Sequence, residues 1–174
     1  MSEVTVRRAT AAEIPAITAI YAEAVLHGTA TFEIEPPDET EMARRMQALL
    51  ARHFPYFVAE RAGSVAGYAY AGPYRDRPAY DWCVEDSIYV APEFHRTGIG
   101  RRLLARLVAE SEASGYRQML SVIGDSANSA SVGVHAAAGF RLIGTFRSVG
   151  FKHGKWLDTV LMQRPLGQGD GAPP

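Results

Sequence analysis

The sequence predicts an α+β fold in which one mixed β-sheet carries helices on both faces. The first observation behind this prediction is the order of the elements, β, α, α, β, β, β, α, β, α, β, β, read from hydrophobic periodicity. The second is that 47% of the 174 residues are hydrophobic, which is enough for one sizeable core. We therefore expect one domain over residues 1–166. The polar end over residues 167–174 has little apolar surface and is expected to be a disordered tail.

The first half of the chain contains a strand, two helices and a hairpin. A strand is predicted at residues 3–8, and the capping-box spacing of Thr10 and Glu13 then starts a helix that Gly28 ends. Asp38 can cap a second helix, after a short extended stretch at 29–33. Ala62-Gly63 indicates a hairpin between the next two strands. In the second helix the side chains expected to face inward are Met42, Met46, Leu49 and Leu50.

The second half begins with a long strand, predicted at residues 80–90 and broken by Pro92. An amphipathic helix then begins at a glycine turn and stops near Gly115. The remaining predicted elements are a strand at 118–123, a helix at 128–138 and two strands at 141–149 and 156–163 around a turn at 150–154.

The glycine turn before the central helix has the chemistry of an anion site. The first N–H groups of a helix lack intrahelical partners and lie at its positive dipole end. Gly98 and Gly100 would let a phosphate approach this backbone without a Cβ in the way. The chain has no Gly-Lys-Ser/Thr of a P-loop, and Leu103 stands where a dinucleotide fingerprint needs a third glycine. By itself the turn is equally compatible with an ordinary helix start.

Charge and composition exclude several classes of protein. The 18 basic and 19 acidic residues give a net charge of −1, which argues against bulk attraction to nucleic acid. No apolar run is long enough to span a bilayer, and the first residues lack the apolar core of a signal peptide. One cysteine allows no intrachain disulfide, so a cytoplasmic protein is expected. The five histidines show no metal-ligand spacing, so we expect no metal.

A second pattern runs from Asn128 through Ser131 and His135 to Gly139-Phe140. It is compatible with an N-capped helix that a glycine terminates. Together with Arg96-Thr-Gly-Ile-Gly100 after a Pro-interrupted strand, it also resembles the two acetyl-CoA motifs of the GNAT family of N-acetyltransferases.

Five further motifs narrow the resemblance to one branch of that family. The chain, from about residue 3 to residue 166, is similar to the phosphinothricin and methionine sulfone/sulfoximine N-acetyltransferases. The motifs are Ala71-Gly-Pro73, Ala79-Tyr-Asp-Trp82, Glu85 with Ser87-x-Tyr-Val90, His95-Arg-Thr-Gly-Ile-Gly100, and Gly150-Phe-Lys-His-Gly154 with Trp156 and Asp158. The resemblance implies the GNAT fold, acetyl-CoA as co-substrate and a homodimer.

The resemblance also implies roles for residues around the central stretch. Glu85 would be the general base that takes a proton from the substrate ammonium, although a solvated carboxylate at a strand end is the alternative. His135, where the family often has Tyr, would protonate the departing thiolate. A β-bulge near Tyr89 and Val90 would free backbone N–H groups for the oxyanion. The residues expected to hold acetyl-CoA are Ile88, Tyr89, Val90, Arg96, Thr97, Gly98, Ile99, Gly100, Arg101 and Asn128.

The substrate site is expected on the loop before the long strand and at residues 85–87 within that strand. Arg75 and Arg77 could form a guanidinium fork for a carboxylate or phosphinate, unless they are simply solvated. Phe32 and Tyr80 would wall the pocket or belong to the core. The full expected set is Phe32, Arg75, Asp76, Arg77, Tyr80, Glu85, Asp86 and Ser87.

The expected function is therefore acetyl transfer to the α-amine of a small amino-acid-like substrate, by direct attack in a ternary complex. Resistance-type acetylation of a herbicide or antibiotic and housekeeping acetylation would use the same fold and the same kinds of site residue. The alternatives are another amine acceptor, namely a polyamine, an aminoglycoside or a protein N-terminus, and a non-catalytic acetyl-CoA sensor. The basic loop around Arg75 favours an anionic small molecule over a polycation, and the presence of both Glu85 and His135 weighs against a sensor.

Overall fold

A computed structural model describes residues 3–174 as one seven-stranded sheet with four α-helices. The strand order is β1-β2-β3-β4-β5-β7-β6, and only the β4–β5 pair is parallel. The predicted α+β fold and element order are confirmed. The strands are β1 Val4–Arg8, β2 Tyr56–Arg61, β3 Ser64–Pro73, β4 Cys83–Val90, β5 Gln118–Gly124, β6 Arg141–Lys152 and β7 Lys155–Pro165. The helices are α1 Ile14–His27, α2 Glu39–Ala51, α3 Ile99–Ala113 and α4 Ser129–Ala137.

Helices cover both faces of the sheet, as predicted. Neighbouring residues on β2 point to opposite faces, so Phe57 belongs to one buried cluster and Val58 to the other. The Phe57 cluster includes Leu103, Leu104 and Leu107 of α3. The Val58 cluster is covered by α1 and α2.

Local signals in the sequence start and end the helices as expected. Thr10 and Glu13 form the predicted capping box, and the Asp38 carboxylate accepts a hydrogen bond of 2.8 Å from Glu41 N. Gly115 follows α3 with φ 87°, a left-handed conformation that favours glycine.

Two strand boundaries differ from the prediction. The strand predicted from Tyr80 begins at Cys83, because residues 78–80 form a 3-10 turn in which Tyr80 N donates to Arg77 O at 2.9 Å. The turn predicted at 150–154 contains only His153 and Gly154, with φ 51° and 74°. Positive φ at both central residues matches the twist of a two-residue hairpin, so β6 and β7 extend further than their apolar patterning indicated.

Within the stretch expected to be extended at 29–33, residues 29–31 form bends. One further expectation was wrong. Leu50, expected to face inward, is 36% exposed, because it lies beside the inward stripe of α2 that Met42 and Met46 occupy.

The single domain with a disordered tail stays a prediction. Leu166 is fully buried, Gly169 N donates to Leu166 O at 2.8 Å, and Arg117 Nη2 donates to Pro173 O at 2.9 Å. These contacts hold the last residues against the start of β5.

Candidate active site

A groove opens where β4 and β5 separate. β4 pairs with β3 as far as Val90, but it pairs with β5 only as far as Asp86, which lies opposite Ser121. Beyond that point the backbone edge of β4 that faces β5 has no ladder partner among the described strands. The expected β-bulge in β4 was wrong, since the register shifts lie at Ala59/Glu60 and within β6. Instead, the two parallel strands diverge, which leaves backbone groups of β4 without partners in β5.

The groove has a volume of about 560 Å³ and joins this free edge to α1, to the loop before α3 and to α4. Six of the ten residues predicted to bind the cofactor line it, and His135 lies in the same wall. His95 also lines the groove and was not predicted to do so; its Nε2 lies 2.9 Å from Val90 O. The six predicted residues in the lining are Ile88, Tyr89, Val90, Arg96, Gly100 and Asn128.

The remaining four predicted cofactor residues surround the N-terminus of α3. Gly98 is its N-cap, with φ 85°, and no side chain caps the first turn. A Cβ on Gly98 would point into open space, so an anionic group can reach the first N–H groups of the helix. This turn fits a pyrophosphate. Thr97 donates its hydroxyl to Phe94 O at 2.6 Å, Ile99 is buried in the core and Arg101 is exposed.

Glu85 faces a separate cleft of about 420 Å³ between β4, β3 and α2. Ser87, two residues further on the same face of β4, lines it too. The Glu85 side chain is largely buried. Burial and, to a lesser extent, the neighbouring Asp86 charge raise the pKa of Glu85 to about 7, against the opposing charge of Arg75. A carboxylate with this pKa can accept a proton near neutral pH.

Asp86 points away from that cleft and has a different partner from the expected substrate. Its Oδ2 lies 2.7 Å from His135 Nε2, and both residues are buried. Ser121 Oγ lies 3.0 Å from the same nitrogen. The second carboxylate oxygen, Asp86 Oδ1, has no hydrogen-bond partner among the described residues. Asp86 is therefore part of the wall behind the groove.

His135 uses both ring nitrogens inside the protein. Nδ1 lies 2.7 Å from Ser131 O, a carbonyl that can only accept, so Nδ1 carries a proton. Burial lowers the pKa of His135, but the hydrogen bond and charge of Asp86 and the Ser131 carbonyl outweigh it, so the pKa lies above its ordinary value. The ring lines the groove, yet neither nitrogen is free to face it.

The predicted substrate loop forms a second depression, of about 530 Å³. Tyr74, Arg75, Asp76, Arg77 and Tyr80 line it, and Tyr80 packs edge-on against Tyr74. It adjoins the Glu85 cleft, because Asp76 Oδ1 lies 3.9 Å from Arg52 Nη1, and Arg52 lines that cleft.

Phe32 lies away from both depressions. It packs so closely over the β6 backbone that a Cβ on Gly150 would lie 2.4 Å from its ring.

The α2 wall of the Glu85 cleft was not predicted from the sequence. Arg44, Arg45 and Arg52 line this wall, and Tyr70 of β3 lines the opposite side. The sequence does carry a signal for it, because α2 is amphipathic and its polar face is rich in arginine. The pattern was interpreted only for the inward side chains, Met42 and Met46. Gly72 was a further signal, since a Cβ there would lie 3.2 Å from Leu49 of α2.

Within residues 3–174, no cluster of three or more His, Cys, Asp or Glu side chains could hold a metal ion. No helix in this part of the chain is long and apolar enough to cross a membrane.

Comparison with known proteins gives a consistent picture. Residues 17–140 match the model of the acetyltransferase (GNAT) family. A phosphinothricin N-acetyltransferase from Alcaligenes faecalis is 54% identical over 158 residues, covering 91% of this chain and 80% of that protein. An L-methionine sulfoximine/L-methionine sulfone acetyltransferase from Salmonella typhimurium is 37% identical, with coverages of 93% and 94%. The crystal structure of a phosphinothricin acetyltransferase from Sinorhizobium meliloti in complex with AcCoA has a TM-score of 0.96 at 49% identity, covering 100% of this chain and 94% of that one.

Proposed function

The chain belongs to the GNAT family of acetyltransferases, and we propose that it acetylates the α-amine of a small amino-acid-like substrate of the phosphinothricin, methionine sulfoximine or methionine sulfone type. The observation that carries this proposal is Glu85. It is a largely buried carboxylate with a pKa of about 7, in a cleft lined by arginines. The cleft and the groove meet along β4, where Ser87 lines one and Ile88 the other. A substrate amine and an acyl donor can therefore approach the same point of the strand from two sides.

Acetyl-CoA is the proposed co-substrate, and when bound it supplies an activated acyl group. The uncapped first turn of α3, with Gly98 and Gly100, would hold its pyrophosphate. Asn128 lines the groove where the pantetheine arm would run. Backbone N–H groups near Tyr89 and Val90, on the edge that leaves the ladder, would hold the acyl oxygen.

Glu85 would take the proton from the substrate ammonium, because only a neutral amine has the lone pair needed to attack a carbonyl. Transfer would be direct within a ternary complex, with no covalent acetyl-enzyme. The proton donor for the departing thiolate, expected to be His135, stays a prediction, since both ring nitrogens have partners within the protein.

We also propose that the protein is a cytoplasmic homodimer that uses the β6–β7 hairpin as its interface. β6 lies at the edge of the sheet, and an exposed apolar edge strand normally needs a cover. Phe151 and Trp156 pack edge-on to each other at 5.3 Å while both stay more than half exposed. The exposed apolar side chains on β6 and β7 are Leu142, Ile143, Phe146, Val149, Phe151 and Trp156.

The test is the release of CoA from acetyl-CoA with phosphinothricin, methionine sulfoximine, methionine sulfone, ordinary amino acids, spermidine and kanamycin. Selective turnover of the first three supports the proposal. Preference for spermidine or kanamycin would replace it with another amine acceptor. Tight binding of acetyl-CoA with no turnover of any amine would leave a non-catalytic sensor.

A further inference from the structure

We infer that Arg52, at the C-terminal end of α2, determines specificity for substrates that carry a second negative charge on their side chain. This inference rests on the proposed function and names the substrate class that the Glu85 cleft prefers. It follows from the arrangement of charges around the cleft, in which Arg52 has the weakest ion pair of the three arginines on α2.

Helix α2 lies close to the sheet along one side of the cleft. Leu49 approaches the backbone of β3 at Gly72, where a Cβ would be 3.2 Å from Leu49 Cδ2. Arg44, Arg45 and Arg52 of α2 therefore share one cleft with Glu85. A small molecule that fills this cleft would lie between the base and the arginines of its α2 wall.

Two of these arginines are already neutralised. Arg45 donates to both carboxylate oxygens of Glu33, at 2.6 and 3.3 Å, and to Glu41 at 2.8 Å. Arg44 donates to both oxygens of Glu41, at 2.6 and 2.8 Å. Two guanidinium groups thus share two carboxylates. The Tyr21 hydroxyl, 2.8 Å from Glu33, adds a further constraint on this network.

Arg52 has no comparable partner within the described residues. Its nearest carboxylate is Asp76 at 3.9 Å, and the Asp76 side chain is 91% exposed. Such a pair contributes little, because water competes for both groups. The Arg52 guanidinium lies over the Phe54 ring, 5.1 Å from its centroid, which holds its orientation without using its N–H donors. The cleft therefore has one positive charge with a planar fork of donors still available.

The position of Arg52 suits a group away from the reacting amine. In an α-amino acid the amine and the carboxylate share one carbon, so the carboxylate must lie near Glu85. Arg75 lines the depression that adjoins the cleft, with its guanidinium over the Tyr74 ring, and we assign it to that carboxylate. Arg52 is then left for the side chain. A phosphinate or carboxylate there accepts two charge-assisted hydrogen bonds, whereas a neutral sulfone gains no ion pair.

The experiment compares two ligands of similar size, phosphinothricin with an anionic phosphinate and methionine sulfone with a neutral sulfone. Binding of each to the full chain in the presence of CoA is measured by calorimetry for the wild type, Arg52→Gln and Arg52→Lys. We expect Arg52→Gln to weaken phosphinothricin binding about tenfold or more, and to weaken methionine sulfone binding much less. Arg52→Lys should recover part of the loss, because it keeps the charge and loses the fork.

The control is Arg141→Gln, which removes one positive charge from an exposed position at the start of β6 and should not change the ratio of the two affinities. Equal losses for both ligands in Arg52→Gln, unchanged phosphinothricin binding, or no binding to the wild type would overturn the inference. The proposed function fails separately, if ligands bind with this selectivity but no acetyl transfer follows.

Discussion

Asp86 Oδ2 lies 2.7 Å from His135 Nε2, and the two side chains are only 1% and 5% exposed. The contact joins β4, which carries Glu85, to α4, which forms a wall of the groove. Removing one partner of a buried ion pair leaves the other charge uncompensated, which usually lowers the stability of the fold. We therefore expect this pair to hold the groove in shape and to make stability depend on pH.

Asp86→Asn should lower the free energy of unfolding by about 3 kcal/mol at pH 6. Because the folded pKa of His135 is raised, its stabilising contribution is present in full below its ordinary value of 6.5 and is lost as pH rises through the folded pKa. The loss caused by the substitution should therefore shrink towards pH 9. Chemical denaturation at several pH values measures this, and NMR titration should show a lower His135 pKa in the variant.

The matched control is Glu23→Gln, which removes the carboxylate partner of His27 in an exposed pair 3.8 Å apart. An exposed pair of this kind contributes little to stability. If both variants lose the same stability, or if the loss in Asp86→Asn does not change with pH, the ionic account of the buried pair is wrong.

Gly98 and Gly115 lie at opposite ends of α3 with nearly the same conformation, φ 85° and 87°, and a Cβ on either would meet nothing within 4 Å. Each alanine substitution should lower the free energy of unfolding by about 1 kcal/mol, since L residues are strained at this positive φ. Only Gly98→Ala should also raise KM for acetyl-CoA, because its Cβ enters the space proposed for the pyrophosphate. Steady-state kinetics of the two variants measures the difference, and equal KM values would argue against a pyrophosphate at this turn.

Trp156→Asp should shift the protein from dimer to monomer, since it places a charge within the exposed apolar surface of β6 and β7. Sedimentation velocity over a range of concentrations measures the change. Leu50→Asp is the control, because Leu50 is an exposed apolar side chain on α2, which packs against β2, several strands away from the hairpin. A wild type that is monomeric at all concentrations, or a dimer unchanged in Trp156→Asp, would refute the proposed interface.

Most of the fold could be predicted because its signals are local. The Thr10–Glu13 capping box, the Asp38 cap and the Ala62-Gly63 turn each depend on residues close in sequence, and the structure contains all three. The start of β4 was misplaced because Tyr80 and Trp82 have strand-like side chains, while Pro78 starts a 3-10 turn. The types of the side chains alone do not reveal that this segment forms a turn rather than a strand.

The site was less predictable because it depends on contacts between distant segments. The separation of β4 from β5 beyond Asp86 results from the path of β5 towards β7, which no pattern in β4 reveals. Asp86 and Glu85 are adjacent in sequence, yet the strand turns one towards His135 and the other into the cleft. The arginines of α2 were missed because polar residues on a helix face ordinarily meet solvent.

The central claim, that Glu85 is the general base, is tested most directly by the pH dependence of kcat/KM for the wild type and Glu85→Gln. The wild type should gain activity as pH rises to about 7 and then level off, because Glu85 must lose its proton to act. In Glu85→Gln, kcat/KM should fall about 10²- to 10⁴-fold, and it should no longer rise with pH. The variant should nevertheless fold, and be about 2 kcal/mol more stable at pH 8. The wild type loses stability between pH 4.5 and about 7, because there Glu85 ionises in the unfolded chain but stays protonated in the folded protein. A Glu85→Gln variant that keeps full activity across this pH range would contradict the account.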